Sequence, residues 1–278
     1  MKSILPSPFF LPSMQSKMCI SLSKRPGRFG MAVHNAGYHA LGLDYLYKAF
    51  AIQDIAGAIS GVRAMGIRGC SISMPFKESV MNYLDSIDSV AAAIGAVNTV
   101  VNDDGHLRGF NTDRAGAVEV LKPHLKTAAE RILVLGGGGV ARAILQALKI
   151  LGQKNVIFCV RVTPKYQEMA KQFQVKLIDW SLRQNVESNV IINETSIGMH
   201  PNDSELPIDI DRLRSLRLVM DVIASPTETR LIKMAKEQNL NVIAGHTLAL
   251  YQAYEQFSLY TGFDAPREEM RQAAETLL

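Results

Sequence analysis

A lysine held where a strand breaks and an aspartate at the head of a helix are the two groups in this chain best suited to exchange a proton. Lys77 ends the segment Ser71-Ile72-Ser73-Met74-Pro75-Phe76-Lys77, in which a buried-type strand stops at a proline. Asp113 ends Asn111-Thr112-Asp113, where a strand gives way to a helix. Each alone has an ordinary reading: a surface charge for the lysine and a helix cap for the aspartate. Facing each other over a substrate hydroxyl, they would form an acid–base pair in which the carboxylate orients the amine. A dehydrogenase needs such a pair, because hydride leaves an alcohol carbon only as the hydroxyl proton is taken.

The partner for that chemistry is written in residues 132–142, an apolar strand running into Gly136-Gly137-Gly138-Gly139-Val140-Ala141 and then a helix. Gly136, Gly138 and Ala141 fall at the G-x-G-x-x-[GA] positions of a dinucleotide site. There the first glycine permits the turn, the second lets backbone approach the pyrophosphate, and the small third residue lets helix and strand pack. The helix that follows, expected over about 139–151, points its N–H groups and positive dipole end at the phosphates. The next strand, 155–160, ends in Arg161 and Lys165 with no acid to accept from a ribose 2′-hydroxyl. Two cations there suit a 2′-phosphate, so NADP is expected and NAD is the lesser alternative.

Around these segments the strand and helix signals alternate, which predicts an α/β protein of two domains. In the first half, strands near 19–20, 45–50 and 69–73 alternate with helices over 31–41 and 52–65. A hairpin of 97–102 and 106–110 turns at Asp103-Asp104-Gly105. A helix over 112–121 leads out of it. From 131 the strands at 131–135, 156–160, 190–193 and 218–222 predict a doubly wound Rossmann sheet, whose ligands sit at the strands' carboxyl ends. Helices over 247–260 and 266–278 are expected to return to the first half. The domains are thus 1–112 with 247–278, and 113–246.

Composition bounds the partners. The chain has 278 residues, 47% hydrophobic and 20% charged, with a net charge of +4 that forms no basic run. This is a soluble globular profile that points to an anionic small molecule rather than to nucleic acid or a membrane. Cys19, Cys70 and Cys159 are scattered in apolar segments, without metal or disulfide spacing, as in a reducing cytoplasm. The six histidines show no metal-ligand spacing either, and no metal is expected. Residues 1–18 are apolar but interrupted by Pro6, Pro8 and Pro12. They read as an extended or poorly ordered lead-in, with a signal peptide as the alternative. Monomer and homodimer both stay open.

With these motifs assembled, the chain resembles the shikimate dehydrogenase family, and most closely its shikimate dehydrogenase-like subgroup. The resemblance is carried by Ser73-Met74-Pro75-Phe76-Lys77, Ala96-Val97-Asn98-Thr99, Gly109-Phe110-Asn111-Thr112-Asp113, residues 136–142, Asn193-Glu194-Thr195-Ser196-Ile197-Gly198-Met199, and Gln252-Ala253, all in the family's order. It implies a substrate domain joined by two linking helices to a Rossmann domain, with the active site between. By the same resemblance Lys77 is the catalytic acid–base and Asp113 its partner. Ser73, Asn98 and Gln252 bond the ring hydroxyls. Asn193, Thr195, Ser196, Gly198 and Met199 belong to the nicotinamide end of the NADP site, and Val222 and Gly245 are included in its cofactor set.

Three departures bear on the substrate. The family's Ser-x-Ser before the His-Asn of the first helix is replaced by Arg28-Phe29-Gly30, while Ser21 and Ser23 lie seven residues too early. Ala224 stands in place of a tyrosine, and Thr247 in place of a glycine. Arg28 is therefore expected to hold the substrate's anionic group. The expected activity is NADP-dependent interconversion of a ring hydroxyl and a ketone on a shikimate- or quinate-like carboxylated cyclic alcohol. The alternatives are a dehydrogenase for another cyclic alcohol and a non-catalytic NADP-binding or regulatory protein. Methylene-tetrahydrofolate dehydrogenase has a similar architecture and lysine, but the Asn-Thr-Asp and Ala-Val-Asn-Thr segments speak against it.

Overall fold

The computed structural model describes residues 13–277 and contains two six-stranded sheets. The first is built from β1 (Lys17–Ser23), β2 (Tyr45–Ala51), β3 (Gly69–Ile72), β4 (Ser86–Ile87), β5 (Thr99–Asp103) and β6 (His106–Phe110), in the order β2-β1-β3-β5-β6-β4. Its β2-β1-β3 part is parallel; β5 pairs antiparallel with β3, β6 antiparallel with β5, and β4 parallel with β6. One face packs on α2 (Ile55–Ala64) through Ile20, Leu22, Ile59 and Ile72. The other face packs on α1 (Phe29–Ala40) and on two helices from the end of the chain, α8 (Gly245–Thr261) and α9 (Arg267–Glu275). The short α3 (Ser89–Ile94) leads into β5.

The second sheet holds β7 (Ile132–Leu135), β8 (Val156–Val160), β9 (Lys176–Asp179), β10 (Val190–Asn193), β11 (Leu218–Asp221) and β12 (Asn241–Ile243). All its pairings are parallel, in the order β12-β11-β10-β7-β8-β9. Counted from β7, this is the doubly wound Rossmann order, whose ligand crevice opens where the strand order reverses, between β7 and β10. Helices α4 (Asp113–Leu121), α5 (Ala141–Ile150) and α6 (Thr163–Phe173) cover one face, and α7 (Arg230–Glu237) the other. The central strands β7, β10 and β11 are buried at every position and read as apolar runs because both faces are covered, with β10 and β11 ending in the buried polar residues Asn193 and Asp221.

Two strands, β4 and β9, are not among those expected, while the series expected to stop near Ile243 ends in β12. β4 and β9 are edge strands of the first and second sheets and are not fully buried, so neither shows the apolar run that marks the central strands. The segment expected as a lead-in splits as well. Residues 1–12 lie outside the described residues, whereas Ser13 donates to Asp44 Oδ2 at 2.5 Å and β1 begins at Lys17. Among the described residues no helix is long and apolar enough to cross a membrane.

Helix α8 belongs to both halves. Leu248 packs in the core under the second sheet, while Leu250, Ala253, Tyr254, Phe257 and Tyr260 pack under the first. It runs against α4 so closely that a Cβ on Gly116 would meet Gln252 at 3.4 Å. These two helices connect the sheets.

Candidate active site

The lysine is placed by the turn after β3. Phe76 is buried in the core between the first sheet and α2, which anchors the chain beyond the Met74–Pro75 bond. The carbonyl of Lys77 then accepts from Val97 N–H at 2.8 Å, bringing this turn beside the start of β5. Asn98 is the next residue, and it is 2% exposed.

Asp113 is the first residue of α4, and no part of its side chain reaches solvent. Its Oδ2 accepts from Lys77 Nζ at 2.6 Å, and its Oδ1 accepts from Asn98 Nδ2 at 2.8 Å. The helix N-terminus adds a favourable dipole for the carboxylate. A buried carboxylate costs several kcal/mol unless it is paired and hydrogen-bonded, and here both oxygens are used. Lys77 keeps some exposure, 14% of its side chain, so its amine is held yet reachable. The bland reading of Asp113 as a cap does not describe its carboxylate, since the cap position is Thr112.

Beneath the pair a second layer continues the polar contacts. Thr99 Oγ1 donates to Asn98 Oδ1 at 2.8 Å, and Gln256 Nε2 donates to Thr99 Oγ1 at 3.0 Å and to Asn98 O at 3.3 Å. Gln256 is 6% exposed and was not among the residues singled out in the sequence. The available signal was its position one helical turn beyond Gln252, a polar side chain on an otherwise apolar face. Gln252 itself is half-buried beside Gly116. Ser73 is exposed in the turn, and Arg28 is exposed at the head of α1, where it makes no capping bond.

A steric fact accompanies the absence of the paired serines. A Cβ on Gly30 would lie 3.1 Å from Cε1 of Tyr47, a buried ring on β2. Tyr47 also stacks on the buried His34 ring, with centroids 4.3 Å apart. Burial pushes the His34 imidazole down to about 4, so it is neutral at ordinary pH.

The glycine loop lies at the switch point of the second sheet. Gly136 has φ +99°, and a Cβ there would approach the backbone at Glu194 and Thr195 to 2.9 Å, so only glycine fits. Gly137 lies under the Tyr166 ring of α6, while Gly138 and Gly139 are exposed. Val140 precedes α5, and Ala141 is fully buried where the helix meets the sheet. Arg161 and Lys165 are both exposed just beyond β8. Lys77 comes close to this loop: a Cβ on Gly139 would sit 3.8 Å from its Cδ.

The loop after β10 is braced from below. Asn193 is fully buried; its Nδ2 donates to Asp221 Oδ1 at 3.1 Å, and its Oδ1 accepts from Thr195 Oγ1 at 2.7 Å. Its side chain is therefore committed within the fold and shapes the loop. Asp221 also accepts from Thr229 Oγ1 at 2.7 Å, and burial pushes its carboxyl up to about 6. Ser196 is exposed, Gly198 turns with φ +102°, and Met199 is half-buried. Val222 packs on the core, and Gly245 is buried against the backbone at 222–223.

Glu194 in this loop is expected from the sequence only as part of the segment 193–199 at the nicotinamide end, with no role of its own. It is 8% exposed, and its carboxylate accepts from Gly138 N–H at 2.6 Å and from Val140 N–H at 2.8 Å. Burial raises its pKa to about 7, against the lowering effect of those N–H groups and of Lys77.

Comparison with known proteins agrees with this architecture. The family description "Shikimate dehydrogenase substrate binding domain" matches residues 28–100, and "Shikimate 5'-dehydrogenase C-terminal domain" matches residues 245–275. A shikimate dehydrogenase-like protein of Haemophilus influenzae is 39% identical over 92% of this chain and 94% of its own length. A shikimate dehydrogenase (NADP(+)) of Moorella thermoacetica is 36% identical over 84% of each chain. The solved shikimate 5-dehydrogenase of Thermus thermophilus, in complex with NADP(H) and shikimate, superposes with a TM-score of 0.85 at 28% identity, covering 94% of this chain and all of that one. The chain belongs to the shikimate dehydrogenase family.

Proposed function

We propose that the chain is an NADP-dependent dehydrogenase that interconverts a ring hydroxyl and a ketone on a shikimate- or quinate-like acid, with Lys77 and Asp113 as its acid–base pair. The observation that carries this reading is the 2.6 Å contact between Lys77 Nζ and Asp113 Oδ2, made where the lysine stem lies near the glycine loop, its Cδ 3.8 Å from where a Cβ on Gly139 would stand. A proton-handling amine stands beside the loop suited to a dinucleotide. The names of the relatives support both the substrate class and the cofactor.

The residues present fit NADP. Gly136 has no room for a side chain, Gly138 and Gly139 are exposed with Glu194 against Gly138, and Arg161 and Lys165 follow β8, with no acid between them in the sequence. The loop's N–H groups would hold the pyrophosphate, and the two cations the 2′-phosphate. When bound, NADP supplies the hydride acceptor or donor. Lys77 Nζ takes the hydroxyl proton in oxidation and returns it in reduction. Asp113 fixes the amine's direction, and Asn98 fixes Asp113. Ser73 and Gln252 orient the ring, and Arg28 holds the acid group. On this reading the half built on the first sheet, closed by α8 and α9, binds the substrate, and the half built on the second sheet binds the cofactor.

A dehydrogenase for a different cyclic alcohol is the second reading. It is favoured by Arg28 and Gly30, since the Tyr47 ring occupies the space that a side chain at position 30 would need. The test is NADP⁺ reduction by wild type and Lys77→Ala with shikimate and quinate in parallel. Turnover by wild type alone supports the proposed activity and names the acid. Binding of NADP⁺ without turnover of either acid directs attention to other cyclic alcohols. Failure with those too would favour a non-catalytic NADP-binding protein.

A further inference from the structure

The N–H groups that a dinucleotide's pyrophosphate would use are already taken by a side chain of this protein. Glu194 Oε2 lies 2.6 Å from Gly138 N and Oε1 lies 2.8 Å from Val140 N, with the Ala141 N–H also close enough to favour its charge. Gly138 and Val140 lie in the loop that runs into α5, where the helix dipole favours negative charge, while the Ala141 N–H also donates to Gly138 O at 3.3 Å. A carboxylate with both oxygens engaged there satisfies the loop as a phosphate would. Two anions cannot share the same donors, so one must leave for the other to enter.

We infer that Glu194 is a built-in competitor of the dinucleotide, a residue that sets cofactor affinity by occupying the glycine loop until the pyrophosphate displaces it. The inference rests on the cofactor reading proposed above. Displacement requires Glu194 to give up two charge-assisted hydrogen bonds, each stronger than a neutral one. Its surroundings determine how readily it does so. Tyr166 of α6 covers the neighbouring Gly137, Thr195 and Asn193 in its own loop are neutral, and Lys77 is the charged group that bears on it from the first half of the molecule. Because burial raises its pKa to about 7, a large part of the population is protonated and neutral in mild acid. The neutral form is the weaker acceptor and does not repel phosphate. Competition therefore strengthens as pH rises through neutrality.

Calorimetric titration of NADP⁺ into wild type, Glu194→Gln and Glu194→Ala at pH 6 and pH 8.5 tests this without reference to turnover, with thermal melting as the check that both variants fold. The glutamine variant keeps the shape and removes the charge, and it also serves as reference for the titration of the cofactor's own phosphate. At pH 8.5 both variants should bind at least about tenfold more tightly than wild type, the scale of losing charged hydrogen bonds. Wild type should lose more affinity between the two pH values than either variant does. Equal or weaker affinity in the variants overturns the competitor role and leaves the cofactor site standing. Absence of NADP⁺ binding in all three proteins overturns the cofactor reading, and the inference with it.

Discussion

Asn98 grips Asp113 from two sides: its Nδ2 donates to the aspartate's Oδ1 at 2.8 Å, while its Oδ1 accepts from the backbone N–H of Thr112 at 2.9 Å, one residue before the aspartate. One amide thus sets both the carboxylate and the backbone that carries it. Asn98→Ala should leave the fully buried Asp113 carboxylate short of a partner, with a loss of about 1–3 kcal/mol in stability. Turnover should fall at least about tenfold, because the lysine loses its fixed reference, while affinity for NADP⁺ stays unchanged. Steady-state kinetics beside urea unfolding measures both effects.

Arg28 is exposed at the head of α1, on the loop that follows β1. Arg28→Ala is expected to raise KM for an acidic substrate about tenfold, the scale of a lost charged hydrogen bond, with little change in kcat. An unchanged KM would remove Arg28 from the substrate site.

A Cβ on Gly245 would lie 2.4 Å from both the carbonyl carbon and the oxygen of Ile223. Backbone has no rotamer by which to yield. Gly245→Ala should therefore lower stability by about 3 kcal/mol or more, at the upper end of overpacking effects. Chemical denaturation of wild type and variant reads this directly.

Asp221 supplies a pH dependence with a definite sign. Its carboxyl is raised from an ordinary 3.8 to about 6 by burial. The folded chain consequently holds that proton more tightly than the unfolded chain, and stability falls as pH rises from about 4 to about 6. The contribution is on the order of 3 kcal/mol. Asp221→Asn keeps the shape, and the Thr229 hydroxyl can turn to accept from the new amide. The difference in Tm between wild type and variant should therefore change in the variant's favour across that range. A constant difference between pH 4 and pH 7 would count against it.

The parts of the site that were readable from sequence are those where a single residue type breaks a local pattern. A proline ending an apolar run marked the Lys77 turn, and glycines between a strand and a helix marked the loop at the switch point. Both are local signals. The meeting of Lys77 with Asp113 spans 36 positions in the chain and rests on tertiary packing that no local spacing expresses. Resemblance to a family supplied the expectation instead. Gln256 escaped notice, and Glu194 was given no role beyond its motif, because an isolated polar residue looks solvated until its burial is known. Strands β4 and β9 escaped because edge strands need no continuous apolar face.

Helices α4 and α8 lie side by side as the links between the two sheets, and Lys77, Asn98 and Asp113 are tied together on the first sheet's side of them, with Asp113 at the very start of α4. Under the proposed function the dinucleotide loop lies on the other side. A rocking of the two halves about these links would change the gap that the hydride must cross without loosening the lysine from its carboxylate. On that reading the proton relay would be the rigid fixture and the hydride path the adjustable one.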